Sequence, residues 1–244
     1  MKMYVPLFII VLMSSACKKD VEPATSVVKF TSTTYQTLGD FNAEGKPNYL
    51  ETSDVISSNL STFINNTFPE NKDLRNTNPG LFSSQAIADI NITQSSEVFL
   101  TFVTQGTIYK NTIGFYTYPT NNPPDSVNDI KIITYAFPNA GGGTPLLPGD
   151  KVRIGRFSAG TSIGFVLLKD AYNNSTKTIN NNVPHYCSND VLNPEIDANL
   201  KKHAVLVNYP AEHIVLIGFE DIDRTMAGCD HDFNDVVVYA TVKQ

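Results

Sequence analysis

The sequence predicts an all-β fold, a jelly-roll-like antiparallel β-sandwich with one short N-terminal helix. Three observations lead there. From about residue 88 onward, short segments rich in β-branched and aromatic residues recur. Clusters of Gly, Pro, Asn and Asp separate them, as turns between short strands require. Only one stretch carries a convincing helical period.

Taken in order, Val27–Phe30 and Thr33–Tyr35 read as a first strand, and residues 37–47 hold turn formers. Ser53 or Asp54 is positioned to cap a helix whose apolar face is Val55, Ile56, Leu60, Phe63 and Ile64. Pro69 and the Asn76–Gly80 segment break the chain again. The expected strands are then Ala88–Ile92, Glu97–Thr104, Thr112–Tyr118, Ile130–Ala136, Lys151–Phe157, Ser162–Lys169, Ala204–Asn208, His213–Phe219 and Val236–Val242. The last is almost wholly apolar, so it is expected at the centre of a sheet with both faces covered. No internal repeat is visible.

The N-terminus reads as an export signal. Lys2 is the positive charge, Tyr4–Met13 the apolar run, and Ser14-Ser15-Ala16 a small-residue cleavage site. The run is too short to span a bilayer, which takes about 20 residues. A cysteine directly after the small residues matches a lipobox, so residues 1–16 are expected to be removed and Cys17 lipidated. Residues 17–28 are polar and read as a tether to a single domain over 29–244. These features place the protein on a bacterial outer membrane or cell surface, held by lipid on Cys17. Lys2 is the only charged residue removed, so the formal charge moves from −6 to −7. That acidity excludes nucleic acid as a partner, which calls for a basic face. Lipidation leaves Cys187 and Cys229, which in an exported chain are expected to pair as a disulfide.

The chemistry concentrates in one segment. Residues 220–235 hold six carboxylates, with Asn234 adding a carboxamide. Asp230, Asp232 and Asn234 stand at i, i+2 and i+4, so a curling loop can turn alternate side chains toward an ion. Hard oxygen donors favour Ca²⁺ over zinc or copper. The spacing is not that of an EF-hand, and strands rather than helices flank the loop. The expected ligands are Glu220, Asp221, Asp230, Asp232, Asn234 and Asp235, and the ion's role is structural. Phe233, inside the acidic run, is expected to plug the core. The bland alternative is a solvated acidic turn, because Asx residues favour turns by bonding their own backbone. The four histidines match no short zinc motif, and no Gly-x-Ser-x-Gly elbow is present. Gly141-Gly142-Gly143 has no following Lys-Ser/Thr and reads as a turn.

Gly218-Phe219-Glu220-Asp221 followed by Asp230-His231-Asp232-Phe233-Asn234-Asp235 and an apolar strand resembles the signature of the bacterial domain of unknown function 4114. Upstream, Phe102–Gly106, Tyr109-Lys110-Asn111, Gly114–Pro119, Phe137-Pro138-Asn139, Leu147–Val152, Gly164-Phe165, Ser188-Asn189-Asp190 and Leu192–Glu195 are similar to runs in LruC-domain lipoproteins. The likeness spans roughly residues 37–242, with the C-terminal signature at about 158–242. Departures are Gln105 in place of Glu, Thr107-Ile108 in place of Ala-Gly, and Cys229 in place of Ser; none touches the carboxylates. The resemblance implies a surface or secreted β module that binds calcium, with no enzymatic activity to carry over. The expectation is therefore a non-enzymatic binding or adhesion module for a surface glycan or protein. The alternative is a carbohydrate-active hydrolase using two carboxylates of the acidic loop. The absence of Trp removes the best sugar-stacking side chain and counts against it.

Overall fold

The computed structural model describes residues 28–83 and 85–244. The leader, Cys17 and most of the tether lie outside the described residues. In chain order the elements are β1 (Thr34–Thr37), β2 (Leu50–Glu51), α1 (Ser58–Thr67), α2 (Leu74–Thr77), β3 (Ile90–Ile92), β4 (Ser96–Gln105), β5 (Thr112–Pro119), β6 (Ile132–Phe137), β7 (Lys151–Phe157), β8 (Thr161–Leu168), β9 (Tyr172–Asn173), β10 (Thr178–Ile179), β11 (His185–Cys187), β12 (Ala204–Tyr209), β13 (Ile214–Phe219) and β14 (Val236–Lys243).

β9 and β10 pair as a separate two-stranded sheet, and the other twelve strands form two facing six-stranded sheets. One runs β1-β6-β5-β8-β11, with β3 sharing the edge of β8 beside β11; the other runs β12-β13-β14-β4-β7-β2. Among the described residues every strand pairing is antiparallel except that of β1 with β6, which is parallel. Period-two alternation builds the shared core. Val98, Leu100 and Phe102 of β4 and Val236, Val238 and Ala240 of β14 meet Ile163, Phe165 and Leu167 of β8 between the sheets. The intervening residues are covered too. Val237 and Tyr239 pack under α1, and Val166 and Leu168 lie beneath Phe30, Tyr135 and Leu192. Both faces of β14 are therefore dry, which accounts for its unbroken apolar run.

The helix differs from expectation at its start. It begins at Ser58, and its cap is Ser57, whose Oγ accepts from the Leu60 N–H at 3.0 Å. Asp54 is drawn elsewhere. Its backbone N–H bonds Gly149 O, and its carboxylate takes Lys151, Thr101 Oγ1 and Tyr239 OH. Val55 falls before the helix and is 89% exposed, whereas Leu60 and Ile64 are buried as expected. Among the described residues no helix is long and apolar enough to cross a membrane.

Candidate cation site

The acidic segment is the connection between β13 and β14. Phe219 pairs with Val236, so the 220–235 loop leaves and re-enters the sheet at adjacent positions. Gly218 lets the returning chain approach, because a Cβ there would lie 2.4 Å from Phe233 O and 2.9 Å from the Phe68 ring. Phe233 is fully buried, 5.5 Å from the Phe82 ring and 5.1 Å from the Arg224 guanidinium. It is the core plug anticipated from its place in the acidic run. His231 and Phe233 both take left-handed backbone, φ 60° and φ 58°. Such residues cost about 1–3 kcal/mol each unless their surroundings hold them. Burial of the Phe233 ring and the bond from Leu74 N to His231 O supply that hold.

The loop closes on a turn far upstream. Asp232 accepts from the Asn71 N–H at 2.8 Å and from the Asn234 N–H at 3.1 Å. Asn234 donates to Glu70 Oε2 at 2.9 Å. Carboxylate oxygens of Glu70, Asp230 and Asp232 lie within 4.8 Å of one another; Glu70 and Asp230 are exposed and Asp232 is buried. Asp221 and Asp235 form a neighbouring group. Asp221 accepts from Asn111 Nδ2 at 2.6 Å, and its own N–H donates to Asp235 Oδ2 at 2.7 Å. Glu220 is 1% exposed, and its Oε2 has no partner. Asp230 acts on its charge most strongly, and Cys229 bonds its side chain.

The electrostatics match a site short of positive charge. Burial pushes the Glu220 carboxyl up to about 7, and the carboxylates of Asp230, Asp232 and Asp221 add to it. Asp232 is pushed up to about 6 and Asp235 to about 9, again by burial first and neighbouring carboxylates second. Burial also raises Asp221, against the bonds from Thr107 and Asn111. Arg224 is the buried counter-charge. It donates to Lys202 O at 2.7 Å and to His231 Nδ1 at 3.2 Å, while its Nη2 has no partner among the described residues. Burial and this guanidinium hold His231 down at about 4.

The expected ligands are thus assembled unequally. Asp230 and Asp232 converge with Glu70, Asn234 bonds Glu70 beside them, and Glu220 is buried but is not one of the converging trio. Asp221 and Asp235 are engaged by Asn111 and by each other's backbone or side chain. Glu70 was not foreseen; only its Pro-Glu-Asn turn marks it, and no spacing links it to residue 230. The expected Cys187–Cys229 disulfide is not formed. Both thiols are free and buried. Cys187 packs into the cluster on the outer face of the β8 sheet, while Cys229 lies in the acidic loop with Sγ 3.0 Å from His231 Nδ1. The two strands' ends point these side chains into separate surroundings.

Residues 157–243 match the model of a domain of unknown function, DUF4114. The DUF4114 segment carries the whole acidic loop, together with β8 through β14. The resemblance read from Gly218–Asp235 is borne out over this segment. Glu70, Asn71 and Asn111 lie outside it, so the DUF4114 segment meets its closing contacts in the chain that precedes it. No curated protein and no solved structure matches the chain.

The side chains suit a hard divalent cation. The donors that converge are all oxygens, from Glu70, Asp230 and Asp232, with Asn234 beside them. Ca²⁺ takes six to eight such oxygens in flexible geometry.

Proposed function

We propose that this protein is a lipid-anchored surface module whose β-sandwich is stabilised by one Ca²⁺ in the 220–235 loop, and that it binds a ligand rather than catalysing a reaction. The observation that carries this reading is the convergence of carboxylate oxygens from Glu70, Asp230 and Asp232, all within 4.8 Å of one another. Like charges held that close repel one another, and a bound cation relieves the repulsion. Glu70, Asp230 and Asp232 would hold the ion, with Asn234 as a further oxygen donor. When bound, the ion neutralises the cluster and ties the loop to the Glu70 turn. Asp221 and Asp235, already hydrogen-bonded, support the loop from behind.

Lipid on Cys17 places the module at the outer membrane or cell surface, as the leader and the small residues before the cysteine support. Two measurements test the reading. Protein purified in calcium and passed through a desalting column should retain close to one calcium per chain by elemental analysis; magnesium or no metal would remove the assignment. Cys17→Ser should leave the membrane fraction or remain unprocessed. A variant cut at the same place and still membrane-bound would contradict the anchor.

A further inference from the structure

Exposed apolar side chains gather at one end of the sandwich. Residues 106–111 join β4 to β5, 138–150 join β6 to β7, and 220–235 join β13 to β14. Residues 169–184 follow β8, and 188–203 lead into β12. Thr112 pairs with Leu168, Ile113 with Phe137, and Phe219 with both Ala204 and Val236, so these connections share one end. Five of the seven exposed large hydrophobics, Ile108, Leu147, Val191, Ile196 and Met226, lie in them. The connections at the opposite end, 93–95, 120–131, 158–160 and 210–213, hold none. Exposed apolar side chains that gather in this way mark a surface for a partner or a membrane. Ile108 is held outward by construction and is 87% exposed. Its segment is clasped by the Gly141-Gly142-Gly143 run: the Gly142 N–H donates to Tyr109 O and the Ala140 N–H to Asn111 O, each at 2.7 Å. No side chain fits between the two segments. A Cβ would stand 2.0 Å from Tyr109 O at Gly141 and 2.4 Å from Ile108 O at Gly142. Behind the isoleucine, Lys169 Nζ lies 4.0 Å from the centre of the Tyr109 ring. Leu147, in the loop that carries the glycines, is 62% exposed.

We propose that this end of the sandwich lies against the membrane, with Ile108 and Leu147 entering a zwitterionic lipid surface. The proposal rests on the lipid anchor at Cys17 and goes beyond it by fixing how the domain faces the bilayer. The start of the described chain selects the occupant. Val28 and Lys29 border a cavity of about 350 Å³ together with Asn181, Asn182 and Val183, which belong to the connection that leaves β8 at this end. Residues 17–27 separate that point from the anchor, and eleven residues span no more than about 40 Å even when fully extended. The side chains suit the depth profile of a lipid interface. Apolar tips leave water, a tyrosine ring belongs at the headgroup level, and a lysine stem lets its ammonium reach back to water. Charge selects the lipid: the acidic 220–235 loop shares this end, and an anionic surface would repel it.

The chain contains no Trp, so Ile108→Trp supplies a single fluorescent reporter at a position open enough to accept it. The test places the lipidated full-length protein in phosphatidylcholine vesicles, with and without bromine on the acyl chains. The Ile108→Trp emission should shift to the blue on reconstitution and be quenched by the brominated lipid. Ala159→Trp, in the exposed β7–β8 turn at the opposite end, should be neither shifted nor quenched. Adding Leu147→Asp to Ile108→Trp should abolish most of the quenching, which separates insertion of the patch from insertion driven by the reporter alone. Protein that floats with the vesicles yet leaves the Ile108→Trp reporter unquenched would overturn the proposal and leave the patch to a protein partner. So would equal quenching at both ends, or quenching that Leu147→Asp leaves unchanged. Protein that does not float strikes the anchor at Cys17 first, and the orientation with it.

Discussion

His185 shows how a single buried side chain sets a pH limit. It sits in β11 with Nδ1 2.8 Å from Val183 O and Nε2 2.9 Å from Tyr35 OH, and its ring stacks on Phe30 at 4.6 Å. Burial holds it down from 6.5 to about 4. Between those values the unfolded chain binds a proton that the folded chain rejects. Its contribution is therefore complete above about 6.5 and is lost as pH falls toward 4, by up to ~3 kcal/mol. Asp89, raised by burial to about 6, works in the opposite direction across part of the same window. Comparison with His185→Gln isolates the histidine. Urea unfolding at a series of pH values should give the wild type the steeper acid loss. Parallel curves for the two proteins would show that the imidazole is not held neutral in the fold.

The β13–loop–β14 element depends on one glycine. A methyl at Gly218 would meet Phe233 O at 2.4 Å, and backbone oxygen cannot give way cheaply. Gly218→Ala should cost about 1–3 kcal/mol, the usual penalty of overpacking. Because the clash lifts the loop, it should also weaken calcium binding. Gly80→Ala, where a Cβ meets nothing within 4 Å, is the control. Calorimetric titration of calcium on each variant checks this; equal affinity in all would detach the Gly218 contact from the cation site. The eight strands of six or more residues were legible because apolar alternation and turn residues agree along them, and the short β3 lies within the expected Ala88–Ile92. The two-residue strands β2, β9 and β10 and the three-residue β11 carry too few residues to show a period. The helix start was misplaced because Ser53 and Asp54 look like caps locally, yet tertiary contacts with Gly149 and Lys151 claim Asp54.

At the scale of the whole molecule, the sandwich joins chain segments far apart in sequence. β14 lies between β13 and β4, so the DUF4114 segment completes its sheet with strands outside the match. The acidic loop was legible for the same reason that it is chemically unusual: six carboxylates fall within one short stretch. Glu70 was not, because the contact that brings it to Asn234 spans 164 residues. The disulfide was misread for a related reason. Counting cysteines says how many can pair, whereas pairing depends on where each strand end delivers its side chain.

Calcium is the central claim, and thermal melting of the protein in EDTA, Ca²⁺ or Mg²⁺ tests it most directly. An ion that binds only the folded state stabilises it by about 2.7 kcal/mol at about 100 times its dissociation constant. For a chain of this size that raises the melting temperature by roughly 5–10 °C. Asp232→Ala should lose most of the rise, and Asp125→Ala, on an exposed turn outside the acidic loop, should keep it. A melting temperature indifferent to calcium in the wild type would contradict the account and leave the 220–235 loop a solvated acidic turn.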